Sequence, residues 1–156
     1  KCFLFSLIEA LAKRFKKRKW FEGADILICA TRASEFLFDI EGKVPPCVVF
    51  AVLKTFFNGW ATSARFQTID RVCLLCVDCD GVDSLEHYAS CPFQWQVFAQ
   101  RFKKSSFPRS LIRFLGLLAD ILDDKLFHAV HMFAVISAYN SRKHARLLLR
   151  RIRWEP

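Results

Sequence analysis

Glycine and proline are scarce in this 156-residue chain, at five of each, which excludes a collagen-like or low-complexity structure. Long uncharged runs are missing too. The longest, Val44–Leu53 and Ala129–Ser141, fall well short of the ~20 residues that cross a bilayer. No secretory leader is legible at the start, because the apolar stretch Cys2–Ala12, interrupted by Glu9, precedes its cationic cluster instead of following one. Without export, the seven cysteines are expected as thiols or metal ligands rather than disulfides, and an intracellular location, nuclear or cytoplasmic, is expected. The chain begins at Lys1 rather than Met, so a segment or processed form of something longer is expected.

What is present is a large apolar inventory. Hydrophobic residues make up 53% of the chain, with 17 phenylalanines, which excludes intrinsic disorder and supplies a core without staples. At roughly 150 residues per domain, one compact unit is expected. Within it three stretches are distinguished: a basic amphipathic helix and linker over 1–46, a cysteine-bearing helical segment over 47–104, and a helical hairpin with a basic end over 105–156.

The net charge of +9 is unevenly placed. Residues 1–20 carry seven basic side chains and one acidic, residues 21–91 are net acidic, and basic blocks return over 92–119 and 142–156. Clustered Lys and Arg are the usual footprint of phosphate binding, although an anionic membrane surface attracts them as well.

Leu4, Leu7, Ile8, Leu11 and Phe15 recur at three- and four-residue steps, predicting an amphipathic helix over 3–20. Ala24–Ala30 reads as either a strand or a buried helical turn, and Ser34–Ile40 as a short helix. Pro45-Pro46 excludes a continuous helix, Cys47–Phe57 reads as helical with Asn58-Gly59 as its stop, and Trp60–Phe66 adds a turn or two. Asp83-Ser84 offers an N-cap for a helix reaching Cys91, and Pro92 opens another running to Lys104. Helices then fit Arg109–Leu122 and Asp124–Arg153, with Asp123-Asp124 as the cap between them. The expected fold is all-α and irregular, with a small cysteine-rich insert.

That insert carries the most specific pattern. Tetrahedral Zn2+ takes four soft or borderline ligands delivered as two close pairs. A Cys-x2-Cys turn supplies one pair, and His87 with Cys91, at i and i+4, supplies the other if Ser84 caps a helix that puts both on one face. Two first pairs are open: Cys73 with Cys76, giving Cys-x2-Cys-x10-His-x3-Cys, or Cys76 with Cys79, giving an x7 loop. Cys73/Cys76 is preferred, because Leu74 and Leu75 can pack behind that turn while Asp78 and Asp80 mark Cys79 as a loop residue.

The run Val72-Cys-Leu-Leu-Cys76, followed by Asp83-Ser-Leu-Glu-His-Tyr-Ala-Ser-Cys-Pro92, resembles the CCHC-type zinc-binding segment downstream of the polymerase core in non-LTR (LINE-type) retrotransposon reverse transcriptases. The lead-in Leu53–Gln67 is similar to that of such segments, with Trp60 and Arg65 at recurring positions, and Phe93, Trp95 and Phe98 fit the aromatic residues after Cys-Pro. The resemblance covers about residues 50–102. Two spacings depart from it: His-x3-Cys is one residue shorter than the commonest form, and the x10 loop is longer. The resemblance implies RNA and DNA handling as one part of a longer polyprotein that would be an RNA-directed DNA polymerase. This segment itself is expected to have no catalytic residues, because the aromatic-x-Asp-Asp polymerase turn is missing and Asp123-Asp124 reads as a helix cap.

A catalytic metal is disfavoured, since catalytic zinc usually keeps three protein ligands and a water, and Glu86 should diverge from His87 by about 100° on a helix. His128 and His131 read as core histidines bonded locally rather than as ligands. The expected nucleic-acid contacts are Lys16, Lys17, Arg18, Lys19, Lys103 and Lys104, together with a stripe of Arg142, Arg146, Arg150 and Arg153 on the last helix; Trp20 and Trp154 are candidate base platforms. The expectation is therefore a non-catalytic, zinc-stabilised module binding RNA or DNA through phosphates. The alternatives are an adaptor that docks a protein partner and a membrane-surface protein using its first helix.

Overall fold

The structure, a computed structural model, describes residues 2–18, 21–66, 72–76, 79–102 and 110–152. Its helices, in chain order, are α1 (Cys2–Lys16), α2 (Ile26–Ile40), α3 (Pro46–Phe56), α4 (Ser63–Phe66), α5 (Leu85–Ser90), α6 (Pro92–Phe102), α7 (Leu111–Phe114) and α8 (Leu122–Ile152). No strand forms among the described residues. An isolated antiparallel bridge between Val72 and Val82 closes the cysteine-rich loop.

Two helix pairs build the body. α1 lies along α2, whose Ala30 and Ala33 are small enough to let the backbones approach, and α3 lies along α8. The core is aromatic where the pairs meet: Phe15 stacks on Phe21 with centroids 4.4 Å apart, and Phe56 takes Phe36 edge-on at 5.8 Å. On α8 the fully buried positions Ala129, Met132, Val135, Ile136 and Tyr139 form one stripe, and the 31-residue helix, about 46 Å long, serves as the spine.

Several sequence expectations are corrected. The segment read as a strand or turn followed by a short helix is one continuous α2. Asp25 caps it by accepting from the Leu27 and Ile28 amides at 2.9 and 3.0 Å, and buried Ala30, Ala33, Phe36 and Leu37 keep it helical by packing. The helix expected over Arg109–Leu122 is only the single turn α7. Gly116 adopts φ +68°, and a Cβ there would lie 2.4 Å from the Phe36 ring, so the chain turns at the one residue that permits both. Asp123 and Asp124 do not cap α8. They sit in its first turn, where the helix dipole still favours them. α1 stops at Lys16 rather than at residue 20, and α6 is described to Phe102. Lys1, Lys19, Trp20, Lys103, Lys104, Arg153 and Trp154 lie outside the described residues, as does the side chain of Arg150.

Asn58, at φ +51°, ends α3 as expected. Backbone amides of Phe57, Asn58 and Gly59 take the carbonyls of its last turn, and two carbonyls just past it accept from guanidinium groups: Arg14 donates to Phe57 O at 3.0 Å and Arg65 to Asn58 O at 2.8 Å. His128 and His131 are both buried. His131 stacks on Phe98 at 3.7 Å, and burial followed by repulsion from His128 pushes its pKa down to about 3, so it is a neutral core residue. Its Nε2 lies 3.4 Å from Gln94 Nε2, but its Nδ1 is buried with no hydrogen-bond partner, so the local bonding expected for this histidine is only half realised.

Candidate metal centre

The cysteine-rich insert is anchored from below by a polar and aromatic hub. Trp60, only 1% exposed, lies against Tyr88 and Tyr139 with centroids 5.9 and 5.7 Å away, and its indole N–H donates to Thr55 Oγ1 at 3.0 Å. The Tyr88 hydroxyl accepts from the Leu74 amide at 3.2 Å and donates to buried Asp83 Oδ1 at 2.7 Å. Tyr139 donates to Ala61 O at 2.7 Å, with Asp83 Oδ2 3.4 Å away. Burial raises both tyrosine pKa values and Asp83 adds to the shift, so both hydroxyls keep their protons and serve as donors. The loop that carries the cysteines is thus tied to α5 and, through α5, to the spine α8.

On this base Ser84 caps α5, its side chain accepting from the His87 amide at 3.1 Å. Cys91 is the residue just past the helix, with φ −58° and ψ 120°, rather than a member of its last turn. Pro92 opens the next helix immediately, which explains the break. The two residues nevertheless converge with the loop cysteines. One donor atom from each of Cys73, Cys76, Cys79, His87 and Cys91 lies within 4.8 Å of all the others, an arrangement that could hold a metal ion. Glu86 is exposed and takes no part in it.

Two of the sulfur spacings match those of a tetrahedral centre. Metal–sulfur bonds of about 2.3 Å place ligand sulfurs about 3.8 Å apart. Cys76 Sγ is 3.5 Å from Cys73 Sγ and 3.6 Å from Cys91 Sγ, and Cys79 Sγ is 3.2 Å from His87 Nε2. The Leu75 amide points at Cys73 Sγ from 3.4 Å, a bond that favours a thiolate. Burial raises the Cys73 thiol pKa, and the amides of Cys76 and Leu75 act in the opposite direction. Burial lowers the His87 pKa while Asp83 raises it, which leaves a neutral imidazole with a lone pair to offer. Leu75 is buried and Leu74 partly so, packed behind the turn as the spacing predicted.

Cys76 and Cys79 are joined as a disulfide across Cα atoms 6.2 Å apart, a departure from the expectation of thiols throughout. The same turn that aims both sulfurs inward for a metal brings them into bonding contact. Thiolates, not disulfide sulfurs, ligate metals, so reduction is needed before either residue can serve. Cys73 and Cys91 are free and buried, and Cys29 and Cys47 stand elsewhere in the fold.

Gly81 is a residue the spacing pattern did not single out. A Cβ at this position would lie 1.9 Å from His87 Cε1, and its carbonyl accepts from the Cys73 amide at 2.9 Å. The imidazole therefore packs on bare backbone. Gly81→Ala is expected to turn His87 out of the cluster and to weaken metal affinity by about 10- to 100-fold, the range for losing a residue that orients a ligand; competition with a chromophoric chelator measures it. Asp83, Tyr88 and Tyr139 were equally illegible as supports, since a buried carboxylate shared by two tyrosines has no linear pattern.

Of the residues proposed for nucleic acid, Lys16, Lys17 and Arg142 are exposed and Arg18 and Arg146 half-buried. Lys16, Lys17 and Arg18 line one open cleft with Phe21 and Glu22 at the end of α1, whereas Arg142 and Arg146 lie on α8, so the structure does not gather them into one site. Burial, with Arg14 adding to it, lowers the Arg18 pKa to about 10, which leaves it charged at neutral pH. No described helix is long and apolar enough to cross a membrane.

No family model, curated protein or solved structure matches the chain.

Proposed function

We propose that this chain is a non-catalytic, zinc-stabilised helical module that binds RNA or DNA, the C-terminal part of a retroelement reverse transcriptase. The observation that carries the reading is the convergence of four sulfurs and one imidazole within 4.8 Å. Soft thiolates with a borderline nitrogen favour zinc over the oxygen-seeking Mg2+ and Ca2+. Zn2+ would be held by Cys73, Cys76, His87 and Cys91, with Cys79 as the substitute for Cys73. Full burial of Cys91 and near-full burial of Cys73 favour a closed, structural centre over one with an open position for water. The retroelement origin rests on the residue pattern of 72–92 and its lead-in.

Nucleic-acid binding is supported by the net charge of +9 and by exposed Lys16, Lys17 and Arg142. Contacts to phosphate release counterions, so affinity should fall steeply with salt. A fluorescence-anisotropy titration with single-stranded RNA and DNA is expected to give a log–log slope of about −0.7 per phosphate contacted, and each charge-neutralising substitution at a contacting residue should reduce its magnitude by about 0.7. A flat response overturns the phosphate mechanism.

A second reading, an adaptor docking a protein, is favoured by the exposed apolar side chains Leu27, Ile28 and Phe50, which are 63%, 56% and 70% accessible. A partner that stays bound through nuclease treatment and high salt would support it.

A further inference from the structure

Between α6 and α8, beside the metal cluster, lies a cleft of about 220 Å3. Phe93 and Val97, one turn apart on α6 and each 47% exposed, form one wall. Ala134 and Ala138 of α8 form the other, and Leu75 of the cysteine turn adds to the lining. Arg142, also in the lining, lies four residues beyond Ala138 and so about 6 Å further along the same face of α8.

We infer that this cleft is a slot for one unpaired nucleobase, stacked against Phe93, with the adjoining phosphate held by Arg142. The inference rests on the nucleic-acid reading above and adds the part of the ligand that carries no charge.

Size and chemistry select the occupant. The cleft is smaller than the 300–1,000 Å3 typical of small-molecule sites, and a helix 10–12 Å across would not enter it. It suits one planar group. Small residues on α8 leave the depth, and an exposed phenylalanine offers the flat apolar face on which bases stack without regard to sequence. Arg142 lines the same cleft as Phe93, which puts a phosphate-binding group beside a stacking face, and the excess of positive charge on the chain favours that anion over an acidic protein partner's scattered carboxylates. Gln94 also lines the cleft. The residue is 6% exposed, and its Oε1 is itself buried with no hydrogen-bond partner. The slot opens next to Leu75, so the metal-held turn fixes one part of its lining.

The test uses the full chain, reduced and loaded with zinc, and two oligomers of equal length and charge: a short single-stranded DNA and the same sugar–phosphate backbone with every base removed. The abasic oligomer is expected to bind about fivefold or more weakly. Phe93→Ala, which removes the platform, and Ala138→Phe, which fills the slot, should each bring the DNA down to the abasic affinity and leave abasic binding unchanged. Two variants acting by opposite changes of volume guard against a fold defect in either. Equal affinity for the two oligomers, with steep salt dependence retained, overturns the slot while the nucleic-acid reading stands. Binding of neither oligomer overturns both and leaves the cleft to a protein side chain.

Discussion

Stripping the metal from the reduced protein is expected to unfold residues 72–91 while α1, α2, α3 and the part of α8 packed on them keep their protection. α5 has six residues, far below the ~12–15 at which an isolated helix becomes even marginal in water, and the loop before it contains one backbone bridge. What holds this segment is the cluster on one side and the Trp60–Tyr88–Tyr139 hub on the other. A structural zinc site contributes on the order of 10 kcal/mol at neutral pH, comparable to the whole margin of a domain. The helix pairs α1/α2 and α3/α8 are packed through Phe15, Phe36, Phe56 and Met132, none of which belongs to the insert. Hydrogen exchange read by mass spectrometry should therefore show amides of 72–91 exchanging orders of magnitude faster after chelation, with α2 and α3 little changed. Uniform loss of protection would mean that the insert and the body fold as one unit, and no change would mean that the insert stands without metal.

Trp60→Ala should be the most damaging single substitution away from the cluster, costing about 3–5 kcal/mol. The side chain is among the largest fully buried ones, and it fills the junction where α3, α5 and α8 meet. Its removal leaves a cavity lined by Tyr88 and Tyr139 and frees Thr55 Oγ1 of its indole donor, although Thr55 still donates to Ala51 O at 2.7 Å. Both tyrosines position Asp83, and Tyr88 positions the Leu74 amide, so the loss should reach the metal as well. Urea denaturation measures the first effect and chelator competition the second. A cost below about 1 kcal/mol would show that the insert does not depend on this junction.

Helix periodicity made much of this fold legible. Leu11 and Phe15 of α1, the Asn58 stop of α3, and the Ser84 cap of α5 are where local chemistry placed them, while α3 starts one residue before the expected Cys47, at Pro46. The reading failed where tertiary contacts decide. Ala24–Ala30 left a strand and a buried helical turn both open, and packing against α1 makes residues 26–30 part of α2. The helix expected over Arg109–Leu122 is cut short at Gly116, and the crowding by Phe36 that requires a glycine there comes from 80 residues earlier in the chain. The five donors were all visible as residue types at close spacing. Loop composition preferred Cys73 to Cys79, yet both reach the cluster, and the supports beneath it are long-range contacts between residues of ordinary appearance.

Native mass spectrometry of the reduced chain, with metal stoichiometry read for the wild type, Cys76→Ser, Cys73→Ser and Cys79→Ser, tests the centre most directly. One zinc per wild-type chain is expected, lost in Cys76→Ser, which belongs to either ligand set, weakened in Cys73→Ser, and retained in Cys79→Ser. A reduced wild type that takes up no metal, or a Cys76→Ser chain that holds zinc as tightly as the wild type, would contradict it.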